Sequence, residues 1–165
     1  GLMQIMPGTA SHLGLAMSDI HDPEKNISAA ARYISELNGY FRNIPSAAER
    51  RLFVLASYNG GYFHVQDAMA LARKNGKSPH RWRDVAYYIL ALEQPLYYND
   101  PVVKHGYMRG SETVDYVDRI RQRYAQYRGV PYGGASVKGW SGGSSAPSFS
   151  PMTPRKAKKR HRFHI

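Results

Sequence analysis

Residues 46–61 read Ser-Ala-Ala-Glu-Arg-Arg-Leu-Phe-Val-Leu-Ala-Ser-Tyr-Asn-Gly-Gly and combine a helix start, an apolar run and a helix stop. Ser46 with Glu49 three residues later is a capping-box pattern, in which each side chain can satisfy a free backbone amide of the first turn. The apolar positions that follow are Leu52, Phe53, Leu55 and Ala56. The segment therefore predicts a helix with an apolar face, ending near Asn59-Gly60-Gly61.

Two more helices are predicted on either side of this segment. The first starts at Asp22-Pro23, and the second follows Gly61 and ends at Asn75-Gly76, a pair suited to the left-handed ending of a helix. The stripe expected to be buried in the first helix is Ile27, Ala31, Ile34, Leu37 and Phe41. In the second helix the inward positions are Val65, Ala68, Met69 and Ala72.

Further along, a short helix and a long last helix are predicted, separated by a tyrosine-rich stretch from Pro95 to Pro101 that we expect to be an irregular loop. The short helix has Trp82, Val85, Ile89 and Leu92 at helical spacing. The last helix covers 111–127, with an apolar face of Val114, Val117, Ile120 and Tyr124 and an outer face of Arg119, Arg121, Arg123 and Arg128. Since no segment has a convincing strand period, the fold class is all-α.

Composition predicts one folded domain over residues 1–128, a flexible Gly/Ser/Pro-rich linker over 129–154 and a basic tail over 155–165. The tail carries six of the formal net charge of +11, which leaves +5 for everything before it. We expect the tail to be disordered and solvated; the alternatives are contact with anionic polymer, lipid headgroups or nucleic acid. Only Phe163 offers a ring for base stacking there, so nucleic-acid binding is not expected.

Three segments resemble signatures of the goose-lysozyme-like lytic transglycosylases, whose catalytic unit is the SLT domain. They are Gly-Leu-Met-Gln-Ile-Met-Pro-Gly-Thr-Ala at 1–10, Ser-Tyr-Asn-Gly-Gly at 57–61 with serine in place of the usual alanine, and Glu-Thr-Val-Asp-Tyr-Val at 112–117. Residues between the last two signatures are similar in pattern to the membrane-bound lytic murein transglycosylase F branch, namely His64, Asp67, Ala68, Trp82, Asp84, Val85, Gly106, Tyr107, Arg109 and Gly110. The resemblance covers about 128 residues and implies a lysozyme-like helical domain.

The activity implied by this resemblance is cleavage of the β-1,4 bond between N-acetylmuramic acid and N-acetylglucosamine in peptidoglycan, with formation of a 1,6-anhydro sugar. In the family one glutamate acts first as acid and then as base, and it lies in a Glu-Ser motif upstream of the Gly-Leu-Met-Gln segment. We therefore expect residues 1–165 to lack the general acid and to be inactive alone. A lysozyme-like hydrolase and a non-catalytic glycan-binding or scaffold module are the competing interpretations.

The resemblance also assigns roles to residues of this chain. It places Met3 and Gln4 beside the bound sugars, and Tyr58 and Asn59 near the acetamido groups and the anomeric carbon. It implies that the Tyr116 hydroxyl hydrogen-bonds the missing glutamate. Glu112 falls in the last signature and is counted as substrate-binding, although a carboxylate at a helix N-terminus is also favoured by the dipole alone. Tyr58 and Tyr116 could equally be amphipathic core residues.

No metal or cofactor is predicted, because His64, His80 and His105 lack metal-ligand spacing with each other or with acids. The absence of cysteine excludes disulfides without indicating a compartment. The expected partners are peptidoglycan glycan strands, with envelope proteins as a further class. The resemblance implies a periplasmic or cell-envelope location, with outer-membrane anchoring through a segment before Gly1 as one possibility.

Overall fold

The computed structural model describes residues 22–129, and these form six α-helices and no β-strand. The helices are α1 (Pro23–Tyr40), α2 (Ala47–Gly60), α3 (Tyr62–Lys74), α4 (Trp82–Ala91), α5 (Pro95–Tyr98) and α6 (Gly110–Tyr127). The all-α prediction is confirmed. None of the helices between residues 22 and 129 combines the length and the apolar character needed to cross a membrane.

The chain divides into two units, Gly1–Gly134 and Ala135–Ile165, and every described residue belongs to the first. The predicted groove residues Met3 and Gln4 lie outside the described residues, as do the basic tail and all of the predicted linker beyond Gly129.

Helix α2 is the centre of the packing, because it contacts α1, α3, α4 and α6. Its Phe53 and Ala56 are fully buried. The predicted start is confirmed, since Ser46 Oγ accepts a hydrogen bond from Glu49 N at 3.2 Å. The other half of the predicted capping box is wrong: Glu49 Oε2 accepts from Trp82 N at 2.7 Å. The first amide of α4 has no partner within its own helix, so Glu49 links the beginnings of α2 and α4.

Helices α3 and α4 bury the faces that their spacing predicts. Asn75-Gly76 ends α3 as expected, with Gly76 at a φ of 72°. The predicted inward residues of the two helices are all buried: Val65, Ala68, Met69, Ala72, Trp82, Val85, Ile89 and Leu92. These two helices pack against each other, and α4 also packs against α6.

Only two of the five residues predicted to be buried in α1 are buried. Leu37 and Phe41 are buried, but Ile27 is 51% exposed, Ile34 is 37% exposed, and Ala31 is exposed too. The residues that α1 buries are Asn26, Ala29, Ala30 and Leu37. The buried face of α1 is thus rotated about the helix axis from its predicted position by less than the roughly 100° between successive residues. Small alanines let two helix backbones approach closely, and that contact decides the orientation more than the isoleucines do.

The stretch before α6 and the end of α6 also differ from expectation. The predicted irregular loop at 95–101 contains the one-turn helix α5, which starts at Pro95, a residue suited to a first helical position. In α6, Val114 and Val117 are buried, but Ile120 is only half-buried and Tyr124 is 51% exposed. All buried residues of α6 lie in its first half, so the predicted apolar face holds only there.

Candidate functional site

The end of α2 meets the start of α6 in a close polar contact. Asn59 Oδ1 accepts a hydrogen bond from Thr113 Oγ1 at 2.9 Å, which joins two residues far apart in sequence. A side chain at Gly60 would place its Cβ 2.4 Å from both Met108 Cε and Thr113 Oγ1, so glycine is required for this approach. The contact brings the segment around Tyr58 and the segment around Tyr116 to one place.

The first turn of α6 is held on α4 by a glycine and a carboxylate. A Cβ at Gly110 would lie 1.8 Å from the backbone oxygen of Ile89, a distance that no real Cβ contact tolerates. Arg109, at the N-cap, makes no side-chain cap, and Glu93 Oε1 accepts from Ser111 N at 2.8 Å and also from the Ser111 hydroxyl. Glu93 therefore supplies the cap from another part of the chain, in the manner of an N-cap carboxylate.

Three tyrosines surround this contact, and we call Tyr33, Tyr58 and Tyr116 the tyrosine site. The rings of Tyr33 and Tyr58 lie 5.9 Å apart between centroids, tilted by 42°. Burial raises the pKa of Tyr58, with further contributions from Tyr116 and Tyr33. Burial likewise raises the pKa of Tyr116 and of Tyr33. All three phenols therefore stay protonated at neutral pH and can donate a hydrogen bond to a carboxylate or a sugar oxygen.

Of the site residues predicted from the sequence, the structure places Tyr58, Asn59 and Tyr116 at this contact and puts Glu112 on the adjoining first turn of α6. Tyr58 and Tyr116 are half-buried, and Asn59 is exposed apart from its bond to Thr113. The Glu112 side chain is 64% exposed and lies 3.9 Å from the Arg109 guanidinium. That position is one that the helix dipole favours for a carboxylate.

Sequence reasoning did not assign roles to Tyr33, Glu93 or Thr113. Thr113 lies inside the last signature, so its motif was the available signal. Nothing in the sequence around Glu93 indicates its capping role, because its partner Ser111 is 18 residues away. Ser57, which occupies the usual alanine position, is fully buried, and its hydroxyl has no hydrogen-bond partner within residues 22–129.

A second polar cluster lies at the start of α3 around Asp67, which is only 3% exposed. Its Oδ1 accepts from Lys104 N at 3.0 Å and its Oδ2 from His105 N at 2.9 Å. His105 Nδ1 is also 3.4 Å from Oδ2. His64 lies close by, with Nδ1 buried and unpartnered among the described residues, and burial lowers its pKa. Asp67 thus holds the loop that leads into α6.

The cluster was not predicted, because His105 and Asp67 are distant in sequence and come together only when the loop before α6 packs on α3. Within the part of the chain that the structure describes, no group of three or more His, Cys, Asp or Glu residues could hold a metal ion.

Comparison with known proteins matches residues 1–80 to the family described as "Transglycosylase SLT domain". The chain is 40% identical over 124 residues to membrane-bound lytic murein transglycosylase F of Desulfosudis oleivorans, a match covering 75% of this chain and 26% of that protein. The proteins of the same name from Shewanella loihica and Citrobacter koseri are 42% and 40% identical, over 75% and 74% of this chain and 25% and 23% of theirs.

The chain therefore spans about a quarter of the length of the curated relatives it matches. The matched domain covers segments 1–10 and 57–61, which carry part of the resemblance, and the names of the matched relatives agree with that resemblance. Residues 1–80 are thus similar to the transglycosylase SLT domain family, and three quarters of the chain is similar to the membrane-bound lytic murein transglycosylases F.

Proposed function

We propose that these residues form part of a peptidoglycan lytic transglycosylase, which cleaves the β-1,4 bond between N-acetylmuramic acid and N-acetylglucosamine and forms a 1,6-anhydro product. Similarity of residues 1–80 to the SLT domain family and the words "lytic murein transglycosylase" in the relatives' names support this proposal. The observation that carries it is the hydrogen bond between Asn59 and Thr113. That bond joins the two signature segments that carry Tyr58 and Tyr116 of the tyrosine site.

The reaction needs one carboxylic acid that is protonated near neutral pH, which an apolar and partly desolvated position can provide. Its proton goes to the glycosidic oxygen as the bond from that oxygen to the anomeric carbon breaks. The resulting carboxylate then takes the proton of the 6-hydroxyl of the muramoyl residue, whose oxygen bonds to the same anomeric carbon. An internal hydroxyl replaces water because its placement gives it a high effective molarity.

The acid itself is the family's glutamate, which the resemblance places before Gly1. Tyr116 is the proposed positioning residue for it, because a buried phenol that keeps its proton donates to a carboxylate oxygen and holds its rotamer. Tyr58 and Asn59 are the proposed contacts to the acetamido groups and the anomeric region. Asn59 suits that role, since Thr113 occupies its carbonyl oxygen and so orients its amide.

Met3 and Gln4 remain proposed sugar contacts on the resemblance alone. Glu112 remains a proposed substrate contact at the margin of the site. Its exposed carboxylate is accessible to a glycan, and the pairing with Arg109 together with the helix dipole accounts for its position in the first turn. It is not proposed as the acid, because it lies in the last signature and not in the Glu-Ser motif that carries the family's glutamate.

We propose peptidoglycan glycan strands as the substrate and the periplasm or cell envelope as the location. The description "membrane-bound" in the relatives' names is consistent with attachment of the whole protein to a membrane. Anionic polymers or lipid headgroups remain proposed contacts of the basic tail, and envelope proteins remain proposed partners.

The test is mass spectrometry of purified peptidoglycan after incubation with residues 1–165 and, separately, with a form extended at its N-terminus to include the Glu-Ser motif. Release of 1,6-anhydro-muropeptides by the extended form alone is the expected result. Reducing-end products would favour a hydrolase on the same fold. Binding of the glycan without any release by the extended form would favour a scaffold module and contradict the proposal.

A further inference from the structure

Four rings are in contact near the C-terminal end of α1. We call these rings, Tyr40, Tyr62, Phe63 and His105, the aromatic ridge. The ring centroids of Tyr40 and Tyr62 are 5.0 Å apart, those of Tyr62 and Phe63 are 5.4 Å apart, and those of Phe63 and His105 are 4.9 Å apart. The last pair is stacked, with 25° between the ring planes. The ridge is thus a continuous row of rings contributed by α1, α3 and the loop before α6.

The ridge is open to solvent, unlike the core rings that it adjoins. Phe63 is 61% exposed and Tyr40 is 49% exposed, whereas Phe41, which touches Tyr62, is 2% exposed. Single exposed apolar side chains are ordinary, but several exposed rings in mutual contact are typical of binding surfaces. Such a surface is therefore suited to a ligand that packs against aromatic rings.

The ridge continues the tyrosine site along α1. Tyr33 and Tyr40 are seven residues apart on that helix, two turns along the same side, or about 10 Å. Tyr33 packs on Tyr58 and Tyr40 packs on Tyr62, so each pairs an α1 ring with one at the α2–α3 junction. The pKa of Tyr40 is raised chiefly by its hydrogen bond to Glu36 and also by Tyr62 and Tyr33. Tyr33 contributes to the raised pKa of Tyr58 as well, which places its phenol near both sets of rings.

A sugar ring is the ligand that fits this combination of groups. The axial C–H groups of a pyranose present an apolar, weakly positive face that packs against the negative face of an aromatic ring, while its hydroxyls and amides lie around the rim. Hydrogen-bonding groups lie at the two ends of this row of rings, namely the Tyr40–Glu36 pair and the His105 imidazole. Four side chains are also far fewer than the roughly 20–30 residues a side of a stable protein interface.

We propose that the aromatic ridge is an additional glycan subsite, which stacks sugar rings of the strand beyond the tyrosine site. This inference rests on the proposed function, because the same strand must occupy both places. Phe63 is the principal contact, since it is the most exposed ring and stacks on His105. The ridge thus sets a preference for long strands over short ones.

The test compares binding of two soluble probes, β-1,4-linked N-acetylglucosamine oligomers of two and of six sugars, by isothermal titration calorimetry with the full chain. Phe63→Ala and Tyr40→Ala should each weaken binding of the six-sugar probe at least about fivefold, as expected for loss of one aromatic contact, and leave the two-sugar probe unchanged. Tyr127→Ala is the matched control, because Tyr127 is 92% exposed at the end of α6. It should change neither affinity.

Phe63→Trp keeps a ring at this position and should retain binding of the six-sugar probe, which separates loss of stacking from loss of folding. Unchanged affinity of Phe63→Ala and Tyr40→Ala for six sugars would overturn the subsite while leaving the proposed function intact, provided Asn59→Ala still abolishes binding of two sugars. Absence of binding by the unaltered chain to either probe would overturn both. Weakened binding of a free stem peptide by Phe63→Ala, with six-sugar binding unchanged, would reassign the ridge to peptide and contradict the glycan subsite.

Discussion

The contact between α2 and α6 and the aromatic ridge are both built from residues distant in sequence, yet they are built in opposite ways. The first depends on the absence of a side chain at Gly60 and on buried neighbours such as Thr113, which is 2% exposed, and Gly110 allows the adjoining approach of α6 to α4. The second depends on large side chains that protrude, with Phe63 at 61% exposure. The difference separates two effects of mutation: changes at the contact should alter the free energy of unfolding, and changes at the ridge should alter binding alone.

The largest effect is expected for Gly110→Ala. The added methyl would meet the backbone of Ile89, which cannot move without shifting α4, so we expect a loss of about 3 kcal/mol and a fall in Tm of more than about 10 °C. Differential scanning calorimetry measures both. Gly39→Ala is the matched control, because no atom lies within 4 Å of its added Cβ, and its Tm should be unchanged or slightly raised. Equal Tm values for the two variants would contradict the close contact.

Asp67→Ala should have the next largest effect on stability. Asp67 holds the loop that carries His105 of the ridge into α6, so this residue links the two regions. Loss of the carboxylate leaves the amides of Lys104 and His105 without their acceptor, at a cost of about 2–3 kcal/mol. Urea unfolding monitored by circular dichroism is the measurement. Asp115→Ala removes only an exposed pair with Arg119 and should cost less than about 1 kcal/mol. A smaller cost for Asp67→Ala than for Asp115→Ala would show that Asp67 does not hold the loop.

Alkaline pH should destabilise the buried core around Tyr88. Burial raises the pKa of Tyr88 to about 12 from its ordinary value of 10.0, so the folded chain holds this proton more tightly than the unfolded chain does. The associated stability is fully present below pH 10 and is lost as pH rises from 10 to 12, at up to about 1.4 kcal/mol per pH unit. Unfolding in urea at several alkaline pH values tests this, and Tyr88→Phe should flatten the dependence. A slope that the variant leaves intact would place its origin elsewhere.

Thr113→Val has the smallest expected effect on stability. Its effect on the site should be confined to Asn59. It keeps the shape of the side chain but removes the donor to Asn59, at about 0.5–1.5 kcal/mol. Because Asn59 then loses its orientation, binding of the two-sugar probe should weaken as well. Thr113→Ser retains the hydroxyl and should preserve that binding. Equal affinities for the valine and serine variants would mean that the Thr113 hydroxyl does not position Asn59.

Local sequence by itself determined where most helices begin and end. Ser46, Gly60-Gly61 and Asn75-Gly76 act through hydrogen bonds and backbone angles within a few residues, which do not depend on what packs against them. Spacing alone also identified buried residues of α3 and α4, although α4 buries more of its circumference than the predicted face. The motifs around Tyr58 and Tyr116 supplied part of the proposed site from the sequence as well.

Tertiary structure decided everything that needed a partner from another segment. It rotated α1 so that Ala29 and Ala30 face inward while Ile27 is left 51% exposed, because close approach of helices outweighs the burial of one larger side chain. It directed Glu49 to α4 and Glu93 to α6, since free amides at a helix start donate to any carboxylate that the fold brings near. It also placed Tyr40 and Phe63 in one row, a juxtaposition that residues on separate helices acquire only when the helices pack.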